Sequence, residues 1–86
     1  MQKKLLTFPC KFPIKIIGLS DEAFEGKVIA IINQHVPDLG EGAITIKLSR
    51  DSKYISLTAT INATSQEQLD NLYIALNADP QVLMVL

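Results

Sequence analysis

Residues 44–62 read I-T-I-K-L-S-R-D-S-K-Y-I-S-L-T-A-T-I-N. Within them Ile55, Leu57, Ala59 and Ile61 alternate with Tyr54, Ser56, Thr58, Thr60 and Asn62. Successive side chains of a strand point to opposite faces, so this period of two gives one apolar side and one hydroxyl-bearing side. Just before it, Ile44, Ile46 and Leu48 alternate with Thr45, Lys47 and Ser49 in the same way. The polar Arg50-Asp51-Ser52-Lys53 between them has the length of a hairpin connection. The stretch is therefore read as two antiparallel strands sharing one buried face.

The flanks switch to helical spacing. On the C-terminal side, Thr64-Ser65-Gln66-Glu67 has the form of a capping box, with Thr64 as cap and Glu67 reaching back. Leu69, Leu72, Tyr73 and Leu76 then make one stripe of a helix that Asn77-Ala78-Asp79-Pro80 ends, and Gln81–Leu86 reads as a last strand. On the N-terminal side, Phe12, Ile14 and Ile16 alternate with Pro13 and Lys15 in a strand over Phe12–Leu19. Ser20 or Asp21 caps the helix that follows, with Glu22 and Glu25 favoured in its first turn by the helix dipole. Phe24, Val28, Ile31, Ile32 and His35 share one face of it, and Pro37 stops it near Val36. Pro37–Gly42 is a loop.

The order is β-α-β-β-α-β. Two helices with one apolar stripe each need one apolar face of a four-stranded sheet, and right-handed crossovers then lead to a ferredoxin-like α+β sandwich. The expected antiparallel strand order is 4-1-3-2, with both helices on one face. Residues 1–10 are expected to be an N-terminal arm and residues 11–86 a single domain.

Composition narrows the functional classes. Lys and Arg number 8 and Asp and Glu 9, a net charge of −1, whereas nucleic-acid binding favours an excess of clustered positive charge. Single-stranded nucleic acid across Lys15, Lys47 and Tyr54 is the weakest of three readings, because Tyr54 is the one aromatic expected on the open face. No apolar run approaches the roughly 18 residues of a membrane span, and Pro9, Lys11 and Pro13 interrupt anything like a secretory signal. A lone Cys10, expected before the first strand, makes no internal disulfide and suits a reducing, cytoplasmic setting.

A search for chemistry returns little. No cysteine pair or ligand spacing suggests a metal, and no cofactor is implied. His35 is read as packed at a helix end and bonded to terminal carbonyls. Asp21, Glu22 and Glu25 are accounted for by helix capping, Asp51 by a turn and Glu67 by the capping box. No constellation of nucleophile, base and oxyanion donors is evident, so an enzyme is not expected. Three surfaces are candidates for binding. Gly18, Ser20 and Asp21 lie on a short turn whose backbone N–H groups suit an anion, although it lacks the several glycines and the Lys of a phosphate loop. Lys15, Lys47, Tyr54, Ser56, Thr58 and Thr60 lie on the sheet face the helices leave open. Val82, Leu83, Met84 and Val85 make an uncharged edge strand, the kind that pairs with other chains unless covered. The Leu5-Leu6-Thr7-Phe8 segment and a second subunit are the candidates to cover it.

Phe8-Pro9, Lys15-Ile16-Ile17-Gly18, His35-Val36-Pro37, Tyr54-Ile55-Ser56, Asn62-Ala63-Thr64, Gln68, Leu72-Tyr73 and Met84-Val85-Leu86 stand in an order and spacing that resembles the YbeD family of small bacterial proteins. The resemblance implies a ferredoxin-like fold similar to the regulatory ACT domain, and a cytoplasmic location. ACT domains bind amino acids beside the turn after their first strand, where Gly18 lies here, usually between subunits. The leading expectation is thus a non-enzymatic regulatory or adaptor module acting through an unknown protein partner or as a homodimer. A small-molecule sensor of ACT type, using Gly18, Ser20 and Asp21, is the alternative.

Overall fold

The computed structural model describes residues 7–37, 39–40 and 42–86. The hairpin that organises the sequence also organises the fold. β1 (Cys10–Leu19) is followed by α1 (Glu22–His35), β2 (Ile44–Leu48), β3 (Tyr54–Ala63), α2 (Gln66–Asn77) and β4 (Val82–Val85). All pairings are antiparallel, in the order β2-β3-β1-β4, which is the expected arrangement seen from its other edge. The long central pair runs from Cys10 opposite Ala63 to Leu19 opposite Tyr54. β1 thus starts two residues earlier than Pro13 had suggested, and Cys10 lies inside the strand. Phe8 and Cys10 are half-buried against the core, while Leu5 and Leu6 lie outside the described residues.

One face of this sheet is filled. Ile14 and Ile16 of β1 and Ile55, Leu57, Ala59, Ile61 and Ala63 of β3 meet Phe24, Val28 and Ile32 of α1 and Leu69, Leu72 and Leu76 of α2 in a single buried cluster. Each fully buried Leu, Ile or Phe contributes about 1.5–3 kcal/mol relative to exposure, so the alternation along β3 selects the face the helices cover. A one-residue slip of β3 would turn its own core side chains outward. No polar or charged side chain is buried among the described residues.

Caps and turns set the ends of the elements. The Asp21 carboxylate accepts the Ala23 N–H at 2.7 Å and caps α1, and Val36 closes it by donating to Ile32 O at 2.7 Å. The cap of α2 lies one residue later than the sequence spacing suggests. Ser65, in extended geometry, accepts the Gln68 N–H at 3.0 Å, and the Gln68 side chain accepts the Thr64 N–H at 2.8 Å. Gln68 displaces Glu67 in this role because its amide also donates, giving a 2.8 Å bond to His35 O that ties α2 to the end of α1. A Glu carboxylate has no such donor.

Candidate functional site

The face away from the helices follows directly from the register. On it Lys15 lies opposite Thr58, Ile17 opposite Ser56 and Leu19 opposite Tyr54, while Thr45 and Lys47 extend the rows onto β2. On the other side Met84 is opposite Ile17, and Leu86 exchanges both backbone hydrogen bonds with Lys15, at 2.8 and 3.2 Å. The face is divided by chemistry. Its β2–β3 half carries hydroxyls and Lys47; its β1–β4 half carries Lys15 and, around it, Ile17, Leu19, Met84 and Leu86. The last three are about half exposed, at 47%, 50% and 59%.

Four of the sequence-derived face residues surround one shallow cleft of about 190 Å³. Lys15, Lys47, Tyr54 and Ser56 line it, together with Ile17, Leu48, Ser49 and Ile55, whereas Thr58 and Thr60 stand apart. The hairpin holds the Tyr54 side of the wall. Ser49 and Tyr54 pair through a 2.9 Å bond from Ser49 N to Tyr54 O, and the Ser49 hydroxyl accepts the Tyr54 N–H at 3.0 Å. That hydroxyl donates in turn to Asp51 at 2.8 Å. This bond, with the Lys53 N–H at 3.2 Å, holds the Asp51 carboxyl below its usual pKa range. Ser52 takes a left-handed φ of 61° to close the loop. The cleft presents ammonium and hydroxyl groups above an apolar floor, a chemistry of binding and orientation.

The second candidate, the turn after β1, is built differently. A Cβ on Gly18 would lie 2.5 Å from the Gln81 carbonyl oxygen and overlap the Phe24 ring, so glycine here permits close approach of α1 and β4. Ser20 N–H already donates to Lys53 O at 2.9 Å, and Asp21 is the α1 cap. Leu19 N–H donates to Gln81 O at 3.2 Å. Lys27 reaches across to the Gln81 side chain and, at 3.6 Å, to Asp79, whose side chain is only 9% exposed. This latch between α1 and the α2–β4 connection was not read from the sequence, because Lys27 and Gln81 lie 54 positions apart.

The third candidate, β4, also resolves into two faces. Val82 and Val85 pack inward on the core, while Leu83 and Met84 are exposed. The register shifts between Ile17 and Gly18, leaving Leu83 unpaired in a bulge at the sheet edge. Ile74 of α2 is exposed, whereas Ile29 packs against the core. His35 is half-buried, and its Nδ1 donates to Ile31 O at 3.1 Å, a helix-end contact. Among the described residues, no three or more His, Cys, Asp and Glu side chains are grouped to hold a metal ion, and no helix is long and apolar enough to cross a membrane.

Comparison with known proteins agrees with this architecture. The profile of the family described as "Protein of unknown function (DUF493)" matches residues 3–86. A UPF0250 protein of Nitrosomonas europaea is 44% identical over 85 residues, covering 99% of this chain and 98% of its own length. A UPF0250 protein of Chromobacterium violaceum is 39% identical over 85 residues, covering 99% and 96%. Among solved structures, the solution structure of protein HP0495 from H. pylori superposes with a TM-score of 0.76 at 10% identity, covering 99% of this chain and 89% of that one. The ACT domain from GTP pyrophosphokinase of Chlorobium tepidum superposes with a TM-score of 0.64 at 19% identity, covering 90% and 97%. At such identities the two structures establish a shared fold.

Proposed function

The chain belongs to the DUF493 family, its relatives are bacterial and its fold is ACT-like, and from that premise we propose a non-enzymatic regulatory or adaptor module that works in the cytoplasm through protein contacts, as a homodimer. The observation that carries this reading is the β4 edge. Leu83, Met84 and Leu86 stand about half exposed on an uncharged border of the sheet, with Leu19 continuing the apolar surface across β1. Monomeric proteins blunt such edges with charge or cover, and a contiguous apolar patch on a sheet marks a contact surface. A second copy brings the same patch, and a two-fold axis beside β4 would let each copy cover the other.

Light scattering on the eluting full-length chain tests this. A dimer mass is expected, and Leu83→Lys, which adds a charge at the bulge, should convert it to monomer with its melting temperature measured alongside. A monomer mass up to roughly 1 mM, where an association of about 4 kcal/mol is already half formed, would remove the homodimer. A dimer unaffected by Leu83→Lys would remove β4 as its seat.

A further inference from the structure

The cleft on the open face has its own chemistry, although its β1 members Lys15 and Ile17 stand beside Leu86 and Met84 of the edge. Lys15 on β1 and Lys47 on β2 flank β3, opposite Thr58 and Ser56 respectively, so their backbones lie about 12 Å apart at ordinary strand spacing and rise. Flexible four-carbon stems bring both ammonium groups within reach of one ligand over Ser56. Neither lysine forms an ion pair among the described residues, where the single salt bridge is Lys27 to Asp79. The acid closest along the hairpin, Asp51, already accepts from the Ser49 hydroxyl and the Lys53 N–H. Two cations therefore border a recess whose described lining includes no acid.

Size and lining narrow the ligand. About 190 Å³ holds roughly six water-sized volumes, well below the about 300–1,000 Å³ of a site for a drug-sized molecule. Most of the wall is carbon, with Ile17 and Tyr54 on the same sheet face as the lysines, and a bare inorganic anion would leave that surface wetted. We propose that this cleft binds a small organic acid, its carboxylate between Lys15 and Lys47 and its short apolar body over Ile17 and the Tyr54 ring. Ser56, which stands between Lys47 and Ile17 in the register, offers a further donor.

The test is an NMR titration of the isotope-labelled full chain with hexanoate, beside acetate, hexanol and hexylamine at constant ionic strength. Hexanoate should give saturable shifts at Lys15, Lys47, Tyr54 and Ser56 with a dissociation constant near the millimolar range expected for so few atoms, roughly 1 mM. Acetate lacks the body, hexanol the charge, and hexylamine has the opposite charge; each should bind about tenfold or more weakly, a difference of about 1.4 kcal/mol. The double variant Lys15→Gln/Lys47→Gln should weaken hexanoate by a similar factor with an unchanged melting temperature, since both side chains are exposed. The monomeric Leu83→Lys variant should bind as the parent does, so this site and the β4 contact stand or fall separately. Hexanol binding as tightly as hexanoate, a double variant that binds normally, shifts centred on Gly18–Asp21, or no saturation at tens of millimolar would each overturn the proposal.

Discussion

Gly18→Ala is the most demanding single substitution this structure allows at an outwardly modest position. The added methyl would sit 2.5 Å from the Gln81 carbonyl oxygen and 2.6 Å from one Phe24 ring carbon, with a second ring carbon nearer still. Phe24 is fully buried and Gln81 O is bonded to Leu19 N–H, so neither neighbour moves without displacing α1 or the start of β4. Overpacking a core costs about 1–3 kcal/mol, and a backbone neighbour puts Gly18→Ala at the upper end, about 2–3 kcal/mol. In a domain of this length that lowers the melting temperature by roughly 10–20 °C. It should lower the urea midpoint by about 1–2 M, followed by far-UV circular dichroism. Two controls isolate the cause. Gly26 lies inside α1, and a methyl added there would meet nothing within 4 Å, so Gly26→Ala should stabilise by about 0.5–1 kcal/mol. Phe24→Leu removes the ring atoms but leaves Gln81 O in place, so Gly18→Ala/Phe24→Leu should be about 1 kcal/mol less destabilised than the two single changes predict together. A Gly18→Ala protein that melts with the parent would show that β1, α1 and β4 do not converge there, and strict additivity would clear Phe24.

Three further outcomes are expected. Ser65→Ala should cost α2 about 1 kcal/mol, while Thr64→Ala should change stability by under about 0.5 kcal/mol; the reverse order in urea melts would return the cap to Thr64. Asp51 has a lowered carboxyl pKa in the folded chain, through the Ser49 hydroxyl first and the Lys53 N–H second. The ionised form is thus favoured by folding, its contribution is present above the ordinary value of 3.8 and is lost as pH falls through the folded pKa. The gap in melting temperature between the parent and Asp51→Asn should therefore narrow below pH 3.8, and a gap that stays constant through that range would contradict the hydrogen-bonded turn. Finally, Leu72→Ala empties a fully buried position and should cost about 2–5 kcal/mol, whereas the exposed Ile74→Ala should fall within about 0.5 kcal/mol of the parent by thermal melting.

Hydrophobic periodicity alone determined a good deal about this protein. The alternation from Tyr54 to Asn62 and the stripes Phe24–Val28–Ile32 and Leu69–Leu72–Leu76 specify elements, buried faces and, through chirality, the strand order, because each depends on residues only two to four positions apart. The same alternation put Lys15, Ser56 and Tyr54 on the open side. Tertiary structure decided what stands beside what. The close approach at Gly18, the Lys27–Asp79 latch and the bulge at Leu83 join segments dozens of residues apart, and no local pattern encodes them. The shift of the α2 cap from Thr64 to Ser65 has the same origin, since Gln68 wins its place by also reaching His35 O on another helix. Register completed the work: pairing Lys47 and Ile17 with the same Ser56 gathers a cleft from three strands, and pairing Met84 with Ile17 sets an apolar border beside it. A strand's own sequence states which way each side chain points, while its neighbours in space decide what that side chain meets.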